Sequence, residues 1–384
     1  MNQTQTSNLS ISIAETLHVG RPNIGSYQRF LSLVEDIFER RWFSNNGKLV
    51  NELEFLLSEY LEVKHCILVC NGTMGLQLAT KALELTGEVI VPAFTFIATV
   101  HALQWMGLKP IFVDVDPLTH TLDPDKIISL INENTSGIIG VHLWGNPCAT
   151  EKIESIAKIY DLKVIYDAAH AFSCRHQTKM IGNFGDCEVF SFHATKFFQT
   201  FEGGAITTNN DQLAQKIRLM KNFGFQGLDN VIELGINGKM TEIQAAMGLA
   251  CFESLEEIVK INRRNYEYYR QHLEEITGIR FFNYDKIAQT NFQYIIAVVD
   301  AKTAGLTRDE LVQILQDCNI RARRYFYPGC HRSAPYRTLY PEQITNLPNT
   351  DFLCERVMVL PTGQSVSVRD IDVICQIIKQ SLQN

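Results

Sequence analysis

The sequence predicts an α/β protein with a mostly parallel sheet in a large domain and a smaller C-terminal α+β domain. Between Cys66 and Thr208, seven short runs rich in β-branched and aromatic residues alternate with helical patterns. Several runs are apolar on both faces, which is typical of strands covered by helices on each side. Strand–helix alternation of this kind indicates a layered sheet with mostly parallel strands.

The elements of the large domain follow in order. Residues 26–64 have helical patterns that break at Ser44–Gly47. Strands are predicted at Cys66–Cys70, Glu88–Val91, Pro110–Val115, Gly137–His142, Lys163–Tyr166, Glu188–Phe192 and Gly204–Thr208. Helices are predicted at Met74–Leu85, Ala98–Met106, Pro124–Asn132 and Thr150–Tyr160. Because such sheets bind ligands beyond the carboxyl ends of their strands, a site is expected just after these runs.

A long helical pattern at Glu242–Thr277 leads from the large domain into the rest of the chain. After Gly278, a strand at Thr290–Val299 and helices at Arg308–Asp317 and Val368–Leu382 predict a smaller α+β domain. We divide the chain into a large domain at residues 1–255, which includes the N-terminal helices, and a small domain at residues 256–384.

Composition excludes several classes of function. With 35 basic and 42 acidic residues the formal charge is −7, so the basic field of a nucleic-acid or acidic-membrane surface is missing. The ten cysteines form no CxxC pair, which favours free thiols in a reducing compartment over zinc or redox sites. The polar segment Met1–Ser12 has no targeting pattern, and the apolar stretch Val89–Val113 is too interrupted to cross a membrane. A cytoplasmic location is expected.

The turn Cys70–Gly75 follows a predicted strand and opens a helix. Its small residues let backbone N–H groups approach a phosphate, and the helix N-terminus adds partial positive charge. Taken alone, the pattern fits an ordinary turn between a strand and a helix better than a phosphate site.

Two charged residues also follow strands. Asp167 directly follows the run Lys163–Tyr166. A buried acid at this place needs a cationic partner, such as a protonated pyridine nitrogen. The alternative is that Asp167 caps the N-terminus of a helix. Lys196 lies in the apolar segment Ser191–Phe198, where desolvation favours a nucleophilic amine able to form a Schiff base. A surface lysine at a strand end is an equal alternative. The glycines of Glu202–Gly204 permit the tight return that would place Lys196 in a cleft.

Together these segments supply a phosphate cradle, an acid for a ring nitrogen and an imine-forming lysine, all at strand ends. Pyridoxal 5′-phosphate (PLP) requires this combination. Phe96 is a candidate for stacking on the cofactor ring, Phe94 is nearly as good, and core packing is the alternative for both.

A resemblance to a known family covers nearly the whole chain. The matching motifs are NGTMGL (71–76), PAFTFIAT (92–99), VDVDPLTHTLDP (113–124), VHLWGNP (141–147), DAAHA (167–171), SFHATK (191–196), EGG (202–204), NGKMTEIQAAMG (237–248), YFYPGCH (325–331) and LPTG (360–363). With these motifs the chain resembles the DegT/DnrJ/StrS sugar aminotransferases, which are PLP enzymes with the aspartate-aminotransferase fold, PLP fold type I.

The resemblance implies a role for each matching residue. Lys196 would hold PLP as a Schiff base, and Asp167 would bind the ring nitrogen. Phe96 would stack on the ring, and His170 would lie near its other face or its 3-oxygen. The residues that would line the phosphate are Gly72, Thr73, Met74 and Ser191.

The resemblance also implies a homodimer with shared active sites. Asn237 would reach the phosphate of the other subunit's cofactor, and Lys239 stands where many relatives have an arginine near the nucleotide phosphates. Tyr325 and Asn23 would contact the substrate.

Two departures from the common family pattern, Phe201–Gly204 and Asn237–Met240, narrow the range of substrates. Both resemble the branch that makes dTDP-4-amino-4,6-dideoxyglucose, and so does the segment Arg323–Pro328. The resemblance therefore implies amino transfer from an amino acid, glutamate in the family, to a dTDP-linked 4-keto-6-deoxyhexose. Two substrates using one site in turn would give ping-pong kinetics. Lys196 argues against the dehydratase offshoot, which has histidine there.

Other functions stay open at this point. One is an aminotransferase for a different keto sugar or a keto-cyclitol. Another is a non-catalytic sensor with the same fold, although the intact set Asp167, Ser191 and Lys196 counts against it. The cluster Arg321, Arg323 and Arg324 fits contact with a diphosphate or a donor carboxylate, but a solvated charge run explains it more simply.

Overall fold

The N-terminal part of the chain packs against both domains. The computed structural model describes residues 13–284 and 287–382. Strand β1 (Leu17–His18) pairs in parallel with Ile320–Arg321 of the small domain. It is followed by helices α1 (Tyr27–Arg40) and α2 (Lys48–Leu61), which confirms the predicted helices and the break between them.

Within the described ranges, one seven-stranded sheet organises the large domain. The strands of this region are β2 (His65–Val69), β3 (Glu88–Pro92), β4 (Lys109–Val113), β5 (Thr135–Val141), β6 (Lys163–Asp167), β7 (Arg175–His176), β8 (Lys179–Met180), β9 (Cys187–Ser191) and β10 (Gly204–Thr208). Strands β7 and β8 form a separate hairpin. The others are ordered β2-β10-β9-β6-β5-β3-β4, and β10 runs antiparallel to both of its neighbours. The predicted seven-stranded, mostly parallel sheet is confirmed.

Helices cover this sheet, and a short hairpin follows it. The helices are α3 (Gly72–Ala82), α4 (Ile97–Trp105), α5 (Thr150–Tyr160), α6 (Asp211–Met220), α7 (Glu242–Phe252) and α8 (Leu255–Leu273). Strands β11 (Phe225–Gln226) and β12 (Asn230–Val231) form the hairpin. The long helix predicted from Glu242 is two helices, because the chain turns at Glu253 and Ser254.

The helix predicted at Pro124–Asn132 is wrong. This segment forms two 3-10 turns, Pro124–Lys126 and Ile128–Leu130. Three isoleucines lie within it at positions 127, 128 and 131, and β-branched side chains are restricted in a helix. Ile127 is buried at the junction of the two turns. A spacing of three between apolar residues also fits a 3-10 helix, which has three residues per turn, so the pattern did not require an α-helix.

The small domain is α+β, as predicted. Its elements are β13 (Ile279–Phe281), β14 (Ile295–Val299), α9 (Ala301–Ala304), α10 (Arg308–Asp317), β15 (Ile320–Arg321), α11 (Ala334–Leu339), α12 (Pro348–Arg356), β16 (Val357–Leu360) and α13 (Val368–Leu382). Strands β13, β14 and β16 form an antiparallel sheet. Phe94 and Trp144 of the large domain belong to the same apolar cluster as this sheet, so the two regions share a core. The boundary between residues 255 and 256 stays a prediction.

A buried ion network fixes the edge of the large sheet. Glu54 of α2 accepts hydrogen bonds from the N–H of Leu68 (2.9 Å), Lys221 Nζ (3.0 Å) and Arg218 Nη1 (2.6 Å). Burial raises the pKa of the Glu54 carboxyl, but Lys221 and Arg218 outweigh burial and hold it below its usual value. The network joins α2, β2 and α6 just below the strand that leads into the predicted phosphate turn.

All ten cysteines fall within the described ranges and carry free thiols, nine of them buried. In the same ranges, no helix is both long enough and apolar enough to cross a membrane. The segment Met1–Ser12, for which no targeting pattern was predicted, lies outside the described residues.

Candidate active site

A cleft of about 670 Å³ lies at the carboxyl ends of the large sheet, with the small domain forming one wall. It is lined by the turns that follow β2, β3, β6 and β9, which is where parallel sheets place ligands. The predicted residues that line it are Gly72, Thr73, Met74, Phe96, Asp167, His170, Ser191, Lys196 and Tyr325. The structure therefore brings most of the predicted site residues together.

The turn after β2 forms an anion cradle at the N-terminus of α3. Asn71 caps this helix by accepting a hydrogen bond from the N–H of Met74 at 2.8 Å. The N–H groups of Gly72 and Thr73 precede the first intrahelical bonds, so they are available to a phosphate. A Cβ on Gly72 would lie 3.1 Å from Cβ of Ser191, and glycine thus lets the turn pack against β9.

Asp167 is held as a buried acceptor at the end of β6. It accepts hydrogen bonds from the Thr99 hydroxyl (2.8 Å) and from the N–H of Ala169 (3.0 Å). Burial raises the pKa of the carboxyl, and the two hydrogen bonds together with the charge of Lys196 oppose that effect. No helix begins in the described residues directly after Asp167, so helix capping does not explain it. A buried carboxylate facing the cleft suits a cationic ligand atom.

Thr95 extends the bonding behind Asp167. Its Oγ1 lies 3.0 Å from Oγ1 of Thr99. Since Thr99 gives its one proton to Asp167, Thr95 is the donor in this second bond. The sequence motif 92–99 contains both threonines, but nothing in the sequence distinguished them from core residues.

Lys196 lies in the turn after β9, with buried Phe197 and Phe198 next to it. Burial lowers the pKa of its amine to about 8, and the charge of Asp167 limits the drop. Nζ lies 3.2 Å from the hydroxyl of Tyr294. With a pKa near 8, roughly a tenth of this amine is unprotonated at pH 7, and the unprotonated form is the one that attacks an aldehyde. The position is not that of an ordinary surface lysine.

The choice between Phe96 and Phe94 is decided by exposure. Phe96 is 54% exposed and lines the cleft, whereas Phe94 is 1% exposed and packs in the shared core. Only the first of the two can present its ring to a ligand.

His170 lies deep in the cleft beside Trp144. The two rings stack at 5.6 Å, and the backbone N–H of Trp144 donates to Nδ1 of His170 at 3.4 Å. Burial lowers the pKa of this imidazole well below 6.5, so the ring is neutral, and the bond to Nδ1 places its proton on Nε2. His170 can therefore donate one hydrogen bond from Nε2.

Sequence reasoning found only part of the wall formed by the small domain. Tyr325 was predicted there, and Arg323 lines the cleft although a solvated charge run was the simpler explanation for it. Tyr294 and Phe326 also line the cleft and were missed. Phe326 stacks on Trp144 at 5.2 Å and on Tyr325 at 5.1 Å, which joins the two domains through parallel rings. Tyr294 immediately precedes β14, but its strand pattern alone gave no sign of a site.

Asn23 is absent from the described lining of the cleft. Its amide donates to the carbonyl of Phe197 (3.3 Å) and accepts from the N–H of Gln364 (3.0 Å). Within one chain it therefore ties the N-terminal segment to the turn that follows Lys196, and direct substrate contact stays a prediction.

Asn237 and Lys239 are also absent from that lining. Asn237 is exposed beside the β11–β12 hairpin. Lys239 donates to Asn222 Oδ1 at 2.9 Å and lies 4.5 Å from the Phe223 ring centre. Neither residue contacts the cleft of its own chain.

Exposed apolar side chains surround these two residues. Here "hairpin segment" means residues 223–236, which carry Phe223, Phe225, Leu228, Val231, Ile232, Leu234 and Ile236. Helix α1 and the loop that follows it add Tyr27, Leu31, Phe38, Trp42 and Phe43. So much exposed apolar surface is typical of a protein interface.

Comparison with known proteins gives a consistent result. The model of the DegT/DnrJ/EryC1/StrS aminotransferase family matches residues 26–379. A dTDP-4-amino-4,6-dideoxy-D-glucose transaminase of Shigella dysenteriae is 39% identical over 364 residues, which cover 95% of this chain and 98% of the relative. A GDP-perosamine synthase of Caulobacter vibrioides is 33% identical, covering 95% and 98%.

Solved structures agree with these relatives. DesI, crystallised in the presence of its TDP-sugar product, superimposes with a TM-score of 0.93 at 40% identity, covering 97% of this chain and 95% of that one. The aminotransferase PseC of Helicobacter pylori, at 22% identity and a TM-score of 0.88, shares the fold.

Proposed function

We propose that this chain, which belongs to the DegT/DnrJ/EryC1/StrS aminotransferase family, transfers an amino group from an amino acid to the keto carbon of a dTDP-linked 4-keto-6-deoxyhexose. The product is a 4-amino-4,6-dideoxy sugar nucleotide. The observation that carries the proposal is the cleft in which Lys196, Asp167 and the N-terminus of α3 are all exposed to one ligand volume.

The residues of the cleft fit PLP. The free N–H groups at the start of α3 suit its phosphate, and the buried carboxylate of Asp167 suits its protonated ring nitrogen. The amine of Lys196, with its lowered pKa, suits its aldehyde. The exposed ring of Phe96 is available for stacking. The polar groups of the cleft thus fit the cofactor of the family.

Each residue has a defined task in amino transfer. When bound, PLP supplies an aldehyde that exchanges amino groups and a ring that accepts the electrons of a deprotonated carbon. Asp167, oriented by Thr99, keeps the proton on the ring nitrogen and so preserves that electron-accepting capacity. Lys196, once its amine is free, would take the proton from the donor carbon and deliver it to C4′, the cofactor carbon that carried the aldehyde. Because the lysine is tethered near both carbons, this costs little positional entropy.

The named relatives support the choice of substrate. The Shigella dysenteriae relative acts on a dTDP sugar, and the DesI structure was determined with a TDP-sugar product, both at about 40% identity. The relative named for a GDP sugar is less similar, at 33%. Glutamate as donor rests on the family resemblance.

A homodimer with shared active sites belongs to the proposal. Asn237 and Lys239 match family motifs but do not reach the cleft of their own chain. The exposed apolar side chains of α1 and of the hairpin segment would be buried by a second copy, which would bring those two residues to the partner's cleft.

Free thiols support a cytoplasmic location. All ten cysteines are unpaired, and nine are buried, where burial keeps them inert. A reducing compartment leaves such thiols intact.

The test is a substrate comparison. The purified protein with PLP and glutamate is offered dTDP-4-keto-6-deoxyglucose and, separately, GDP- and UDP-linked 4-keto-6-deoxyhexoses and a keto-cyclitol. We expect the dTDP substrate to have a kcat/KM at least roughly tenfold above the others, with a 4-amino product identified by mass and NMR. Preference for another nucleotide overturns the dTDP assignment, and amination of the cyclitol alone overturns the sugar-nucleotide assignment. Binding without turnover would favour a sensor.

A further inference from the structure

We infer that Tyr294 is a positioning residue that holds the amine of Lys196 against the small-domain wall whenever that amine is not bonded to the cofactor. The phenol oxygen lies 3.2 Å from Nζ. The inference rests on the aminotransferase function proposed above, in which Lys196 is released during each half-reaction. The side chain of a released lysine has four rotatable bonds. Confining its amine removes the rotamers in which the amine cannot reach the substrate.

Tyr294 is itself rigidly placed. It is buried directly before β14, the central strand of the small sheet. Its ring lies 4.5 Å from that of His170 and 5.2 Å from that of Trp144. A side chain packed on two sides by large rings has few other rotamers, so its hydroxyl is a fixed point in the cleft.

A phenol suits this task better than a carboxylate. Burial raises the pKa of Tyr294 well above 10, so its hydroxyl keeps its proton at neutral pH. A protonated phenol accepts a hydrogen bond from an ammonium group and donates one to a free amine. The contact therefore persists through both protonation states of Lys196. A carboxylate would instead favour the ammonium form and leave less of the lysine as the free amine that removes a proton.

The contact also crosses the domain boundary. Lys196 comes from the turn after β9 of the large domain, whereas Tyr294 comes from the small domain. The amine is thus placed by two regions of the chain. Asp167 and the phosphate turn, in contrast, are placed by the large sheet alone.

The test compares Tyr294→Phe with a matched control, Tyr269→Phe. Tyr269 is another buried tyrosine of the same domain, and its hydroxyl donates to the carbonyl of Pro361 at 3.0 Å, away from the cleft lining. Both variants lose one buried hydroxyl, so a loss of packing or stability affects both. Only the first loses a contact to Lys196.

The first readout uses no substrate. Holoenzyme is stripped of cofactor, PLP is added, and the Nζ–carbon bond, which forms as the aldehyde oxygen leaves as water, is trapped with borohydride and counted by intact mass. We expect Tyr294→Phe to slow this capture about five- to tenfold, because the unconfined amine spends less time in the rotamers that reach the aldehyde. Affinity for pyridoxamine phosphate, which cannot form the bond, should stay within about twofold, and Tyr269→Phe should match the parent.

The second readout is kinetic. In Tyr294→Phe we expect kcat to fall by a similar factor, with KM for the sugar nucleotide unchanged and a larger primary isotope effect from glutamate deuterated at C2. Parental capture rates in Tyr294→Phe, or equal losses in both variants, overturn the inference. Failure of the proposed function appears differently, as absent turnover in the parent while the capture difference persists.

Discussion

The interior of the cleft and the hairpin segment are built in opposite ways. In the cleft, Asp167 and His170 are buried, and each has hydrogen-bond partners within the chain. In the hairpin segment, Leu228 is 92% exposed and Leu234 73% exposed. One chain therefore provides the residues for proton transfer by itself. The proposed contacts of Asn237 and Lys239 with phosphate and nucleotide, in contrast, require a second copy of the chain.

The largest effect is expected inside the cleft, from a substitution of Asp167. Asp167→Asn should lower kcat by about two to three orders of magnitude, because an amide does not hold a proton on the ring nitrogen. Steady-state turnover measures this, with melting temperature and cofactor content as controls for folding. Near-parental turnover would remove the proposed role of Asp167.

The second prediction concerns the stability that the buried ion network of Glu54 gives to the large domain. Glu54→Gln leaves Lys221 buried without its carboxylate and should cost about 3–5 kcal/mol of unfolding free energy, measured with urea. Since the pKa of Glu54 is lowered in the folded state, its contribution is complete above 4.5, its ordinary value, and is lost as the pH falls further. The difference between variant and parent should therefore shrink in acid.

Glu84→Gln is the matched control, because Glu84 pairs with Lys216 at an exposed position. We expect no measurable change there. Equal losses in the two variants would contradict a special role for the buried network.

The hairpin segment is tested by Leu234→Asp, which places a charge on the proposed interface. We expect the dimer to dissociate at concentrations where the parent is dimeric, measured by sedimentation. Ile159→Asp, at a 75% exposed position on α5, should leave the oligomeric state unchanged. A parent that sediments as a monomer would refute the shared active site.

The smallest effect is expected at Asn237. Asn237→Ala removes one proposed phosphate contact from the second copy and should weaken PLP retention about tenfold, as measured by dialysis and absorbance. The dimer itself should persist. Unchanged retention would show that this residue does not hold the phosphate across the interface.

The sequence was sufficient to predict the strands that border the cleft and the charged residues that follow them. Runs such as Glu188–Phe192 are apolar on both faces, which identifies buried strands, and a charged residue just after such a run is conspicuous. Asp167 and Lys196 were found in this way. The order of the strands in the sheet and the 3-10 turns near Ile127 depend on packing between distant segments, which a local pattern does not encode.

The small-domain wall could not be predicted for a related reason. Tyr294 and Phe326 resemble core aromatics in sequence, and only the docking of the two domains brings them to Lys196 and Trp144. Likewise, Phe94 and Phe96 are separated by one residue in the same turn, and their roles follow from which one the fold leaves exposed.

The pH dependence of covalent PLP capture by the cofactor-stripped enzyme tests the assignment of Lys196, with the borohydride-reduced adduct located by peptide mass mapping. We expect an adduct at Lys196 and a rate that rises with pH to a plateau with an inflection near 8, since only the unprotonated amine reacts. An adduct at another lysine, or an inflection at the ordinary value of 10.5, would contradict it.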